Sequence, residues 1–294
     1  MSTLEEYRSD IENQWCPGCP NFGLLAALKR ALVSLDLSPH KICLVSGIGQ
    51  AAKLPHYLNC NLFNGLHGRA IPVAIGISVA NPTLKTIVTS GDGCLYGEGG
   101  NHLLHAFRRN PDITVITHNN RIYALTKGQG SPTTRRGEKT RLQFDGVELD
   151  PAQILATAIV HGCTFVARGF AGDLGGLANL FEEAIAHRGL SFIDVIQPCI
   201  IWDRPVKWYK ERAIPVPADH DPADRDRAIA LTLDTGDSFA VGILYRTPPK
   251  RTFAASYYDR IGNEPLAKLP LLDRAIIEDR LDKMRFDTET PSQH

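Results

Sequence analysis

Two short apolar runs, each ending in a polar motif, constrain this chain more than any other feature. Thr86-Ile87-Val88-Thr89-Ser90 runs into Gly91-Asp92-Gly93, and Ile113-Thr114-Val115-Ile116-Thr117 runs into His118-Asn119-Asn120. Between them Leu103, Leu104 and Phe107 recur at helical steps, so residues 97–108 read as a helix with one buried face. A strand–helix–strand unit of this kind sets its strands parallel and brings both polar motifs to one carboxyl edge. Glycine at 91 and 93 lets backbone approach a ligand, and the following helix points N–H groups at negative charge. The Asp92 carboxylate is wrong for touching phosphate and right for holding a cation against it. Mg²⁺ takes hard oxygen ligands, one or two from protein carboxylates or carbonyls and the rest from phosphate and water. The bland alternative makes Asp92 a helix cap and Asn120 a turn residue.

The rest of the chain repeats the alternation. Asn21 is placed to cap a helix through Phe22, Leu24, Leu25, Leu28, Ala31 and Leu32, stopped by Pro39. Lys41–Val45 reads as a buried strand ending in the turn Ser46-Gly47-Ile48-Gly49. Residues 70–79 read as a helix with Pro72 in its first turn. Residues 121–150 lack periodicity and read as a long functional loop. A helix over 151–160, a strand at Phe165-Val166-Ala167, a helix over 173–187 and a strand over 191–196 follow. This is an α/β chain with a mostly parallel sheet and helices on both faces. Beyond Trp202, Pro and charge become frequent, apart from a strand-like Phe239–Tyr245. The expected division is therefore 1–205 for the α/β domain and 206–294 for a C-terminal extension that contacts a partner or covers the site.

Charge and composition exclude several classes. Lys+Arg and Asp+Glu are both 32, which gives no basic field for nucleic acid or an anionic membrane. The first residues are acidic and lack an apolar stretch, and the run Ile71–Ala80 is too short to cross a bilayer, so a cytoplasmic protein is expected. The seven cysteines are odd in number, which argues against a disulfide framework. Cys43 and Cys163 lie in apolar stretches and read as core residues. Cys16 and Cys19 form Cys-Pro-Gly-Cys, a spacing shared by iron–sulfur, zinc and thiol redox sites.

Five ordered motifs accompany the first: Trp15-Cys16-Pro17-Gly18-Cys19, Ser46-Gly47-Ile48-Gly49, Leu66-His67-Gly68-Arg69-Ala70, Leu125-Thr126-Lys127-Gly128-Gln129 and Ser131-Pro132-Thr133. With Gly91-Asp92-Gly93 and Asn119-Asn120, the chain resembles the beta subunits of 2-oxoacid:ferredoxin oxidoreductases over roughly residues 10–205. The resemblance implies a thiamine diphosphate-binding fold of the diphosphate type. Asp92, Asn120 and the main-chain carbonyl of Ile122 would hold Mg²⁺. Gly47, Ile48, Gly49, His67, Gly68, Arg69, Gly91, Gly93, Leu125 and Thr126 would contact the cofactor. Lys53 and Lys127 would meet the substrate carboxylate, with 2-oxoglutarate favoured over pyruvate. Cys16, Cys19 and Cys199 would ligate a 4Fe–4S cluster.

The family places another thiolate directly after Ser-Gly-Ile-Gly, where this chain has Gln50; Pro20 and Cys94 are further departures. Three outcomes stay open: Cys60 supplies the fourth thiolate, the cluster has three thiolates with a non-cysteine ligand or three irons, or no cluster forms. The resemblance implies CoA-dependent oxidative decarboxylation through hydroxyalkyl-thiamine diphosphate, with electrons leaving through the cluster to ferredoxin. It also implies an alpha subunit that carries the pyrimidine-binding domain, since 294 residues leave no room for a second such domain. The alternative is a non-redox 2-oxoacid decarboxylase half without a complete cluster.

Overall fold

The alternating pattern folds into an eight-stranded sheet covered by helices on both faces. The structure is a computed structural model that describes residues 1–233, 238–262, 264–271 and 273–285. In chain order the first elements are α1 (Asn21–Ser34), β1 (Ile42–Ser46), β2 (Asn61–Asn64), α2 (Ala70–Ala80) and β3 (Lys85–Gly91). Then come α3 (Gly100–Arg109), β4 (Thr114–Asn119), a small hairpin of β5 (Ile122–Tyr123) and β6 (Gln129–Gly130), α4 (Ile154–Val160), β7 (Phe165–Phe170), α5 (Leu174–Ala186) and β8 (Ser191–Ile196). The last elements are α6 (Val206–Lys210), β9 (Ala213–Pro215), α7 (Arg225–Thr232), β10 (Phe239–Arg246), α8 (Ala255–Ile261) and α9 (Arg274–Lys283).

The strand order is β2-β1-β3-β4-β8-β7-β10-β9. The first six strands are mutually parallel. β10 runs antiparallel to β7, and β9 runs parallel to β10. Part of the segment beyond residue 205 is thus joined to the sheet through β9 and β10. The chain leaves β1 outward to β2 and returns to β3 on the other side. That reversal opens a crevice at the carboxyl ends of β1 and β3, where open α/β sheets receive ligands.

Two apolar layers follow from the period of two along each strand. Ile42, Leu44, Ile87, Ile116, Phe165 and Ile193 face α1 and α5. Cys43, Val45, Val88, Val115, Val166 and Phe192 face α2, α3, α4 and α7. Leu24, Leu28 and Leu32 of α1 are at most 1% exposed, and each contributes about 1.5–3 kcal/mol of burial. Cys43 and Cys163 are buried, as expected.

Two local expectations are corrected. Asn21 does not cap α1: the helix begins at Asn21 after Pro20, with no side-chain cap. The Asn21 side chain is instead buried, and its Oδ1 accepts a hydrogen bond from His118 Nδ1 at 2.7 Å. The helix expected over 97–108 is split. A wide π-helical turn spans Gly93–Glu98, and the α-helix begins only at Gly100. Gly97, Gly99 and Gly100 give the backbone little helical preference there, while the π turn buries Cys94, Leu95 and Tyr96.

Candidate functional site

Asp92 stands at the end of β3, 1% exposed. Its Oδ2 accepts hydrogen bonds from Ser131 Oγ at 2.5 Å and Thr133 Oγ1 at 2.7 Å. Burial pushes its pKa up to about 6, against those two hydroxyls, which pull it down. Thr133 Oγ1 also lies 2.9 Å from Asn119 Oδ1. Asn119 Nδ2 donates to both Asp194 oxygens at 3.0 and 3.2 Å, and the Tyr96 hydroxyl donates to Asp194 Oδ1 at 2.5 Å. A chain of polar side chains therefore links the end of β3 to the ends of β4 and β8 and the loop after β6. Buried carboxylates tolerate such a place only when every acceptor has a donor or a cation beside it.

Asn120 is turned differently from Asn119. Its Oδ1 accepts from the Ile122 N–H at 3.1 Å, an Asx turn that starts the β5–β6 hairpin. Arg121 between them has φ +59°, a left-handed conformation unusual for a side chain of that size. Among the described residues, no three His, Cys, Asp or Glu side chains converge on one ion. A cation at Asp92 would therefore draw on one carboxylate, amide and main-chain oxygens, which is the donor set that Mg²⁺ shares with phosphates.

The glycines fit a closely approached backbone. A Cβ at Gly47 would lie 2.4 Å from Cys94 Sγ, and one at Gly93 would lie 2.4 Å from the Tyr123 ring. Gly68 has φ +71° and is packed against Glu98, while its N–H donates to Cys94 Sγ at 3.2 Å. The turn after β1 is held by Asn64, whose Nδ2 donates to Ser46 Oγ at 2.7 Å and to the Gly47 carbonyl at 3.1 Å. Buried Cys94 thus touches both the Ser-Gly-Ile-Gly and the His-Gly-Arg turns. It does so without a hydrogen bond to Asp92, whose Oδ2 is held by Ser131 and Thr133.

His67 Nε2 lies 3.0 Å from Glu98 Oε2, and the Tyr123 hydroxyl donates to the same oxygen at 3.3 Å. Arg69 Nη1 donates to His102 Nε2 at 2.9 Å. Gly47, Gly68, Gly91, Asp92 and Gly93 are therefore gathered at one edge, with His67 and Arg69 beside them. Ile48, Leu125, Thr126 and Lys127 are exposed around them, and Gly49 and Lys53 are partly so. Leu125–Lys127 form the tip of the β5–β6 hairpin, where Lys127 has φ +81°.

Sequence reasoning missed Ser131 and Thr133 as partners of Asp92, although both stood in a recognised motif. It also missed Asp194, Tyr96, Glu98 and Tyr123, and it gave Asn119, inside the Asn119-Asn120 motif, no side-chain partner. Nothing local marks these, because each acts across elements far apart in the chain.

The thiols lie on the α1 side of the same edge. Cys16 is exposed, and Cys19 and Cys199 are partly buried. Burial raises the pKa of Cys19 and of Cys199, and Cys16 is close enough to raise both further. Gln197 Nε2 donates to Cys19 Sγ at 3.7 Å. Cys60 has other neighbours: its thiol donates to the Asn61 carbonyl at 3.2 Å, and Cys43 is the thiol acting on it. Burial pushes its pKa up to about 12.

Known proteins resemble this chain over most of its length. Residues 45–195 match the family model described as the C-terminal TPP binding domain of thiamine pyrophosphate enzymes. Residues 204–259 match that of the C-terminal part of the pyruvate ferredoxin oxidoreductase beta subunit. The chain is 40% identical over 290 residues to 2-oxoacid:ferredoxin oxidoreductase 1, subunit beta, of Aeropyrum pernix, covering 94% of this chain and 91% of the relative. It is 40% identical over 185 residues to the 2-oxoglutarate synthase subunit KorB of Archaeoglobus fulgidus, covering 63% of this chain and 69% of the relative. A solved structure of the 2-oxoglutarate:ferredoxin oxidoreductase from Magnetococcus marinus, with 2-oxoglutarate, coenzyme A and succinyl-CoA bound, superposes with a TM-score of 0.87 at 32% identity. It covers 95% of this chain and 96% of the solved one.

Proposed function

The chain belongs to the beta subunits of 2-oxoacid:ferredoxin oxidoreductases, and from that premise we propose that it anchors Mg²⁺ and thiamine diphosphate for the CoA-dependent oxidative decarboxylation of 2-oxoglutarate. The observation that carries this reading is the buried Asp92 carboxylate at the crevice between β1 and β3, held by Ser131 and Thr133. Asp92, Asn120 and the Ile122 carbonyl are the Mg²⁺ ligands. The Gly47, Gly68, Gly91 and Gly93 backbone cradles the diphosphate, with His67 and Arg69 donating to its oxygens. When bound, thiamine diphosphate supplies the carbon nucleophile and the electron sink for decarboxylation.

The chain's residues set position, charge and access. The Ser131 and Thr133 hydroxyls orient the carboxylate on the metal, the outer-partner role that fixes metal ligands elsewhere. The Tyr123 ring lies over Gly93 and closes one side of the cradle. Lys53 and Lys127 receive the distal carboxylate, which favours a dicarboxylic 2-oxoacid such as the 2-oxoglutarate named for several relatives.

An alpha subunit with the pyrimidine-binding domain completes the active site. The described part of the extension beyond residue 205 contacts that partner, while residues 234–237, 263, 272 and 286–294 of the expected extension lie outside the described residues. Ferredoxin is the electron acceptor, and Cys16, Cys19 and Cys199 would hold an iron–sulfur cluster that supplies one-electron chemistry. The donor set fits iron: three thiols lie near enough to act on one another, and thiolates are the ligands that hold iron–sulfur clusters. No described helix is long and apolar enough to cross a membrane.

The test uses the complex purified with its alpha subunit. Viologen reduction that requires both 2-oxoglutarate and CoA is expected, and Lys127→Ala is expected to raise the KM for 2-oxoglutarate far more than that for pyruvate. Aldehyde release without an electron acceptor would replace this reading with that of a non-redox decarboxylase half, the second reading favoured by Gln50 in a thiolate position.

A further inference from the structure

Resting on the iron–sulfur reading above, we propose that Cys16, Cys19 and Cys199 hold three corners of a four-iron cluster and that the fourth iron faces Gln50, which leaves that iron exchangeable. Three independent features meet at Gln50. It follows the turn after β1, and its main-chain carbonyl accepts from Trp15 Nε1 at 2.8 Å. Trp15 directly precedes Cys16 and is itself fixed, edge-on to Phe22 at 5.5 Å and to Tyr57 at 4.9 Å. The Cys-Pro-Gly-Cys loop and residue 50 are therefore held against each other by the fold. Gln50 Oε1 is also enclosed by protein and has no hydrogen-bond partner among the described residues. A buried amide oxygen is unfavourable until a donor or a positive centre lies beside it, and an iron at that corner supplies the positive centre.

The third feature is the placement of Cys60. Its neighbours are Asn61 and Cys43, on the β1–β2 side, so it does not stand in for the missing thiolate. An amide oxygen is a hard, neutral donor, and iron–sulfur irons are held by soft thiolates. The iron beside Gln50 is bound by the cluster's sulfides and only weakly by the protein. The other three irons keep full thiolate ligation.

The experiment reconstitutes the purified complex anaerobically with Fe²⁺ and sulfide, then treats it with ferricyanide and a ferrous chelator. Ferricyanide takes one electron from the cluster, and the corner iron leaves as Fe²⁺; the three-iron core with all four sulfides stays on the thiolates. Wild type is expected to lose about one iron in four and to show the three-iron EPR signal. Fe²⁺ with dithionite is expected to restore the original spectrum. Gln50→Cys is expected to keep about four irons under the same treatment.

If wild type holds its irons as firmly as Gln50→Cys, the exchangeable corner is wrong while the cluster reading stands. A wild type that takes up no more than about three irons in excess Fe²⁺ also overturns the proposal, because the corner is then not an iron site. If neither protein binds iron while both gain thermal stability from Mg²⁺ and thiamine diphosphate, the cluster reading itself falls and the proposal with it.

Discussion

The Asp92 cradle and the cysteine corner sit at the same edge of the sheet and are built on opposite principles. In the cradle, Ser131, Thr133, Asn119, Asp194 and Tyr96 satisfy one another and Asp92 through direct hydrogen bonds. Its geometry belongs to the protein. In the corner, Cys16 is exposed, the Cys19 and Cys199 thiols are reached only by residues near them in the chain and by the long Gln197 contact, and among the described residues Gln50 has an enclosed oxygen with no donor. There the geometry must come from whatever the thiolates bind. A preorganised site loses affinity when its supports are cut, whereas a ligand-organised one loses order when a ligand atom is cut.

Two substitutions should split the regions most sharply. Asp92→Ala is expected to abolish the thermal stabilisation given by Mg²⁺ and thiamine diphosphate while iron content stays unchanged. Cys19→Ser should do the reverse: iron is lost and the Mg²⁺–thiamine diphosphate shift persists. Both are read by differential scanning fluorimetry alongside iron analysis, and a loss of both properties in either variant would show that the regions form one cooperative unit.

Smaller effects sharpen the contrast. Thr133→Val removes one hydroxyl from Asp92 and should weaken cofactor binding by ~10–100-fold in titration calorimetry, the usual cost of an outer partner of a metal ligand. Gly93→Ala places a methyl against the Tyr123 ring. It should cost ~1–3 kcal/mol in denaturant unfolding through overpacking, and weaken cofactor binding as the hairpin is displaced.

A pH-dependent effect concerns His118, buried between the two regions. Burial lowers its pKa to about 3. The folded state keeps it neutral while the unfolded chain takes up a proton near ~6.5. Between those values the unfolded state binds more protons, so stability falls as pH drops through that window, by at most ~1.4 kcal/mol per unit. His118→Asn should flatten that slope in unfolding midpoints taken from pH 7 to pH 4. An unchanged slope would assign the acid sensitivity to other groups.

Much of the cradle was legible because its key residues are fixed by local chemistry. A strand ending in Gly-Asp-Gly and a neighbour ending in Asn-Asn must meet at one carboxyl edge of a parallel sheet. What was not legible is pairing at a distance. Nothing near Asp194 in the chain says that Tyr96 and Asn119 will bind it, and nothing near Glu98 says that His67 will. Asn21 misled because the short amide that suits a helix cap also suits a buried partner for His118. The π turn at Gly93–Glu98 was hidden because it has no repeat length long enough to show as a period, and only the cluster of glycines hinted that a regular helix would not start there.

The outermost strand has a consequence of another kind. β2 is four residues long, Asn-Leu-Phe-Asn, uncharged, with Leu62 42% and Phe63 48% exposed, and among the described residues it pairs on one side only, with β1. An uncharged strand with a free flank is a template for pairing with another copy. Copies made without something to cover that flank should therefore self-associate in proportion to concentration, so the yield of dispersed protein depends on timing of synthesis as well as on stability. Placing a lysine at Leu62 would test this by light scattering, since a charge on the open flank should keep the lone chain dispersed.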